Sequence, residues 1–333
     1  MENILEIRNL VVSFASDGRK ERAIAVNGVD IDIPKGSIVG LVGESGCGKS
    51  VTSLSVMGLL ADNGRVDSGS ALFGGQDLLA LPDKALRKLR GNRISMIFQE
   101  PMTSLNPVLT VGRQISEAIR LHSGADKQTA KAQSIGLLES VGIPEARKRY
   151  DCYPHQLSGG LRQRVMIGMA MALKPDILIA DEPTTALDVS IEAQILRLMR
   201  RLQRENGTSI LLITHNLGIV AELCDSVYVM YAGEVVERAE VQALFSTRAH
   251  PYTRGLMASL PHMTQRGQRL YNIPGTVPNL RAMPAGCRFS PRCEFAEERC
   301  RAEKPPLADL GGGHLCRCFH PLQNAVTSGG DAR

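Results

Sequence analysis

Tryptophan is absent from the chain, and aromatic residues make up only 4% of its 333 positions. A surface that stacks exposed bases needs aromatic platforms interleaved with basic residues, so single-strand nucleic-acid binding is disfavoured. Long basic runs are lacking too. Lys and Arg outnumber Asp and Glu by 39 to 34, and the surplus of +5 never gathers into five adjacent basic residues. Nucleic acid is therefore not implied, and a small anionic ligand fits the charge balance equally well. No apolar run approaches the roughly 20 residues of a bilayer span. The opening MENILEIRNL also lacks the basic-then-apolar order of a secretory signal. Both absences predict a protein made and kept in the cytosol, where thiols stay reduced, so the eight cysteines do not read as a disulfide framework. Internal repeats are absent as well.

What is present is a 43% hydrophobic content, enough for one ordinary core with a small appendage or for two unequal domains. Residues 5–12 and 38–42 read as strands, the second running into a glycine-rich turn and then a helical pattern over 49–60. Short Ile-, Val- and Leu-rich stretches at 95–98, 177–180, 210–213 and 227–230 predict buried parallel strands of an α/β fold. Helical periodicity at 111–121 and 130–141 predicts a helical insertion. A Pro- and Gly-rich stretch, 272–286, precedes five of the eight cysteines, and a boundary is expected near 262. The expected division is an α/β core over 1–100 and 159–261, a helical subdomain over 101–158 and a cysteine-rich C-terminal domain over 262–333, ending in a loose tail from 326.

Gly43-Glu44-Ser45-Gly46-Cys47-Gly48-Lys49-Ser50 matches GxxxxGK[ST] and sits between a predicted strand and a predicted helix. Glycines let the backbone curl so that successive N–H groups and a helix N-terminus point at one anion. Lys49 adds a cation for the β- and γ-phosphates of ATP, and the Ser50 hydroxyl can ligate Mg²⁺. Asp181 and Glu182 follow a buried strand, where Asp181 can hold the Mg²⁺ and Glu182 can deprotonate the attacking water. A solvated acidic pair is the bland alternative, which the phosphate loop disfavours. His215 could sense the γ-phosphate and Gln99 could reach Mg²⁺ or water, although a single His or Gln after a strand is more often structural. Ser158-Gly159-Gly160, ahead of a helix, supplies a second anion-binding N-terminus that one nucleotide site does not need.

The order Gly43–Ser50, Gln99, LSGGLRQR, Asp181–Glu182, Ala186-Leu187-Asp188, His215 resembles the nucleotide-binding subunit of an ABC transporter over residues 4 to about 240. The resemblance implies a RecA-like core with a helical subdomain, paired head to tail with a second cassette. Each ATP then lies between one chain's phosphate loop, Val51 included, and the other's Ser158, Gly159, Gly160, Gln163 and Asp188. It also implies that Phe14 stacks on adenine, that Gln99 joins Ser50 and Asp181 at Mg²⁺ and couples to the membrane partner, and that Glu182, His215 and Gln99 serve hydrolysis. Asn216 departs from the pattern, in which Asp is usual; it keeps a hydrogen-bonding side chain without the charge.

MIFQEPMTSLNPVLTVG, YPHQLSGG, HPYTRGLMASLP and the tail IPGTVPN…GCRF…PRC narrow the resemblance to the D-type ATPase subunit of dipeptide and oligopeptide importers. Similar tails occur in subunits for D-alanyl-D-alanine dipeptides, and other relatives import nickel or glutathione. The resemblance implies a second, non-identical ATPase subunit, two transmembrane permease subunits, an extracytoplasmic peptide-binding protein, and a place on the cytoplasmic face of the inner membrane. A soluble ABC ATPase of DNA repair or translation is the rival, but it usually carries two cassettes or a long coiled coil.

Cys287, Cys293, Cys300, Cys316 and Cys318 are spaced more widely than zinc knuckles, which leaves an iron–sulfur cluster, zinc or free thiols open. The resemblance implies a [4Fe–4S] cluster on Cys287, Cys293, Cys300 and Cys318, with Cys316 as the alternative fourth ligand. Cys47, Cys152 and Cys224 read as packing residues. Met166, Met169 and Met171 read as core, and Arg197, Arg200, Arg201 and Arg204 as a solvated helix face.

Overall fold

The computed structural model describes residues 2–15, 21–99, 104–185, 187–259 and 271–322. Among the described residues, twelve strands form two sheets. The larger is built on β3 (Ile38–Val42), β6 (Ile94–Ile97), β7 (Ile177–Asp181), β8 (Ser209–Thr214) and β9 (Ser226–Tyr231), all mutually parallel. It continues antiparallel through β10 (Glu234–Glu240) to β12 (Leu315–Cys316) and β11 (Ala308–Asp309), giving the order β11-β12-β10-β9-β3-β8-β7-β6. The smaller sheet is antiparallel: β1 (Asn3–Phe14) lies between β2 (Ala23–Pro34) and β4 (Gly64–Phe73), with β5 (Gln76–Asp77) at the edge.

Successive residues of a strand face opposite ways, and the core divides accordingly. Ile38, Val42, Leu178, Ala180, Ile210, Leu212, Val227 and Val229 face a helical layer containing Ile195, Leu196 and Met199. Val39, Leu41, Ile177, Ile179, Leu211, Ile213, Tyr228 and Met230 face the antiparallel sheet through Leu5, Ile7, Val29 and Ile31. Burial on both faces explains why these strands read as continuous apolar runs. Each fully buried Ile or Leu contributes roughly 1.5–3 kcal/mol of transfer free energy. Strands β2 and β4, half exposed and interrupted by polar residues, gave no such signal and were not anticipated.

Between 104 and 176 the described chain is helical: Val111–Ser123, Lys127–Ser140, Ala146–Arg149 and Gly159–Met171. Thr110 caps the first through Arg113 N–H, and Asp126 caps the second through Gln128 and Thr129 N–H, the role in which short oxygen-bearing side chains excel. The helix expected over 49–60 stops at Met57, because Gly58 takes a left-handed φ of 61° and its N–H closes the last turn. Met166 and Met171 are buried as expected. Arg197, Arg201 and Arg204 lie exposed along the helix Val189–Asn206.

The boundary expected near 262 and the tail from 326 lie outside the described residues. Beyond 271 the chain packs back on the main sheet. Glu237, fully buried on β10, accepts from the N–H groups of Ala249 and His250 at 2.8 and 2.9 Å, and lies 2.7 Å from His314 Nε2. A buried carboxylate is tolerated where hydrogen bonds converge on it; three contacts do so here, and the one from His314 fastens the C-terminal segment to β10.

Candidate active site

Parallel strands deliver their carboxyl ends to one edge of a sheet, where open α/β folds bind ligands. Here Gly43 follows β3 and His215 follows β8, Asp181 ends β7 with Glu182 next, and Gln99 lies two residues beyond β6. Pairs β3–β8, β8–β7 and β7–β6 are adjacent, so residues far apart in sequence become neighbours.

The loop Gly43–Ser50 curls as its glycines allow. Gly43 has φ 154° and Gly48 φ 104°, and a Cβ at Gly43 would stand 2.1 Å from the Met230 carbonyl oxygen. No side chain but glycine fits there. The helix Lys49–Met57 that follows has neither a capping side chain nor an acid in its first turn. Its first N–H groups and positive dipole end are therefore left to an external anion. Lys49 is buried, with Nζ donating to the carbonyls of Gly43 and Glu44 at 2.8 and 3.0 Å. Ser45 and Gly46 are exposed, Ser50 and Val51 half-buried, and Cys47 is packed beneath the loop.

Asp181 is buried, with the Ser50 hydroxyl near enough to work against a raised pKa. Burial foremost, with the Glu182 charge, raises its pKa against the Ser50 hydroxyl and Lys49. Its Oδ1 has no hydrogen-bond partner. A buried acceptor beside a hydroxyl, below the phosphate-binding turn, is the donor set that a hard divalent cation such as Mg²⁺ takes up.

Glu182 occupies a left-handed conformation at φ 47°, uncommon for a residue with a side chain and typical of functional sites. Its Oε2 accepts from Thr185 Oγ1 at 2.8 Å and Gln99 Nε2 at 3.2 Å, and its Oε1 lies 3.2 Å from His215 Nδ1. Burial works to raise this carboxyl, but hydrogen bonds from Thr185 and His215 and the charge of Lys49 prevail and hold it below the usual glutamate value. The result is an ionised carboxylate, oriented on both oxygens, as a base for water requires. Thr185 was not foreseen; its place three residues after Glu182 was the available signal. Asn216 caps the helix Leu217–Leu223 by accepting from Gly218 N–H at 2.9 Å, work an aspartate oxygen would do equally.

Ser158 caps the helix Gly159–Met171 and, with Gly159, lies exposed. Asp188 is exposed as well, beside Val189 at 81% exposure. Gln163 is buried, and its amide donates to the Pro183 carbonyl, so in this chain it faces inward, unlike Ser158 and Gly159. Ala186 lies outside the described residues. Phe14 ends β1 half-buried against Gly64. Phe98, just before Gln99, is 41% exposed and, with Met57, Leu59, Met96 and Met169, lines an apolar groove of about 280 Å³. Met169 thus borders a surface rather than only the core.

Cys287, Cys293, Cys300 and Cys318 line one cavity together with Phe289 and Phe319. Cys287 N–H donates to the Cys300 carbonyl at 2.8 Å. Cys316 is not among the lining residues; it is fully buried on β12, opposite Glu237. Among the described residues no group of three or more His, Cys, Asp or Glu is spaced to hold a single metal ion. Cys47 and Cys224 are buried packing residues, and Cys152 is half-buried.

Residues 26–185 match the family described as ABC transporter, and residues 236–300 the one described as oligopeptide/dipeptide transporter, C-terminal region. The oligopeptide transport ATP-binding protein OppD of Haemophilus influenzae is 50% identical over 320 residues, 96% of this chain and 98% of that protein. The dipeptide transport ATP-binding protein DppD of Escherichia coli is 48% identical over 322 residues, 97% of this chain and 98% of that protein. Among solved structures, the post-hydrolysis dimer of the ATP-binding cassette MJ0796 with ADP and Pi aligns with TM-score 0.64 at 26% identity, covering 71% of this chain and 98% of that one. The cassette cbiO1 of Clostridium perfringens aligns with TM-score 0.62 at 26% identity, covering 74% and 92%.

Proposed function

The chain belongs to the ABC transporter ATP-binding family, in its oligopeptide/dipeptide branch, and from that premise we propose how its residues power a peptide importer. It is an ATP hydrolase, the energy-supplying subunit of an importer for dipeptides or oligopeptides. The observation that carries the mechanism is the meeting of four strand ends at one edge, with Glu182 held by Thr185, Gln99 and His215.

Gly43 to Val51 would cradle the phosphates, Phe14 would stack on adenine, and Ser50, Asp181 and Gln99 would hold Mg²⁺, which neutralises charge on the phosphates when bound. Glu182 takes the proton of the attacking water, while His215 and Thr185 fix its carboxylate. Ser158, Gly159 and Asp188, exposed and without use in the chain's own phosphate loop, support a head-to-tail pairing in which they complete a partner's site. We read the partner as a second, non-identical ATPase subunit. Two permease subunits would engage the apolar groove beside Gln99, so that closure and reopening at the nucleotide reach the membrane. The described residues contain no helix long and apolar enough to cross a membrane, which suits a peripheral position on the cytoplasmic face.

For the C-terminal cysteines we favour a [4Fe–4S] cluster on Cys287, Cys293, Cys300 and Cys318. A cubane takes one thiolate per iron, so its ligands need not converge on one point, and the cavity that the four cysteines share supports that reading. Cys316 has its place in the sheet instead.

Co-purification of the whole complex and ATP-driven uptake of labelled dipeptides, longer peptides, nickel and glutathione into vesicles test the cargo. Accumulation of peptide alone is expected; uptake of nickel or glutathione without peptide would contradict the assignment.

A further inference from the structure

The second residue of the phosphate loop is gripped from a part of the chain nearly 250 positions away. Arg292 Nη1 donates to Glu44 Oε2 at 2.7 Å and Nη2 to Glu44 Oε1 at 3.1 Å, a two-pronged pair of the kind that fixes direction as well as distance. The guanidinium is only 5% exposed and the Glu44 side chain 26%. The same group donates through Nε to the Pro274 carbonyl at 2.9 Å and through Nη2 to the Ile273 carbonyl at 3.3 Å. Arg292 is thus itself held.

The rest of Glu44 is held as well. Its N–H donates to Tyr252 Oη at 2.8 Å, and its carbonyl accepts from Lys49 Nζ at 3.0 Å. Tyr252, fully buried, packs against Tyr231 at 4.6 Å and Phe289 at 5.5 Å between ring centroids. Phe289 lies three residues before Arg292, whose N–H donates back to its carbonyl at 2.9 Å. Arg292 and Tyr252 therefore reach Glu44 from one continuous aromatic block. Where Glu44 sits decides where its carbonyl holds the Lys49 ammonium, and so how far that ammonium stands from a phosphate.

We propose that Arg292 is a positioning residue for the phosphate loop, holding Glu44, and through it Lys49, in the geometry that receives MgATP. It acts through Glu44. Because Glu182, His215 and Gln99 stand on other strands, losing this grip weakens nucleotide binding while leaving the hydrolytic step largely intact. The inference rests on reading Gly43–Ser50 as the ATP site.

Steady-state phosphate release by the assembled complex, with R292Q, R292K, E44Q and the R292Q/E44Q double variant, tests it. Loss of one charged hydrogen-bonded pair should raise the MgATP KM about tenfold in R292Q and E44Q. R292Q should keep kcat within about threefold. The double variant should match the singles, since both remove one interaction, and R292K should recover part of the loss. E44Q alters only the loop side and keeps the test valid if R292Q folds poorly. A wild-type KM in E44Q, or singles that add in the double variant, would overturn the proposal; so would a lowered Tm with unchanged KM, which marks a purely structural pair. A wild-type complex that never saturates with MgATP would overturn the ATP-site reading first.

Discussion

Glu182 Oε1 and His215 Nδ1 meet at 3.2 Å across the ends of two adjacent parallel strands, β7 and β8. The distance follows from the sheet: Asp181 is paired with Ile213 in register, so the residue after one strand end faces the loop after the other. His215 is largely exposed, at 62% of its side chain, whereas Glu182 is 14% exposed. The histidine therefore reaches inward from the surface to orient a carboxylate that is already ionised.

Replacing His215 by Ala should lower kcat for ATP hydrolysis about 100-fold, the scale of a lost acid–base or orienting group. The MgATP affinity should change little, because Lys49 and the loop are untouched. Phosphate release and nucleotide binding on the same preparation check this; equal losses in both would place His215 in ground-state binding instead.

His250 links acidity to stability. Burial pushes its pKa down to about 4, against the opposing charge of Glu237, and its Nδ1 accepts from Tyr252 N–H at 3.0 Å, which requires the neutral ring. The folded value lies below the unfolded one of about 6.5. The contribution is therefore complete above the unfolded value and is lost as pH falls toward about 4. Between pH 7.5 and 5 the protein should lose roughly 2 kcal/mol from this group. His250→Asn keeps a cap acceptor without titrating, so its Tm should fall less over that range; parallel curves would contradict the assignment.

The cysteine assignment separates two neighbours. Cys318→Ser should lose bound iron and visible absorbance in anaerobically purified protein, while Cys316→Ser, altered on β12, should keep the iron. Zinc without iron in the parent protein would contradict the cluster, and iron retained by C318S would contradict Cys318 as its ligand.

The parallel strands were legible because burial on both faces leaves an unbroken apolar run; 38–42 was read with the bounds the structure gives. The phosphate loop was legible because its glycines and Lys49 act locally, within eight residues. Strands β2 and β4 were hidden because one face of each meets solvent and their burial alternates irregularly. Gln163 lies in a segment whose family pattern suggested an outward role, yet helix phase turns it toward Pro183. The Arg292–Glu44 pair had no signal at all: a contact across 248 positions follows from packing of the C-terminal segment, which periodicity does not encode. Cys318 lines the shared cavity and Cys316 does not, a difference that follows from packing rather than from their spacing in the sequence.

The most direct measurement is peptide uptake by the reconstituted complex carrying Glu182→Gln, with MgATP binding and phosphate release followed in parallel. Loss of the base should leave MgATP bound, slow phosphate release by at least about 100-fold and stop peptide accumulation with it. Phosphate release and uptake at the parent rate would contradict the claim that Glu182 drives hydrolysis and that hydrolysis drives import.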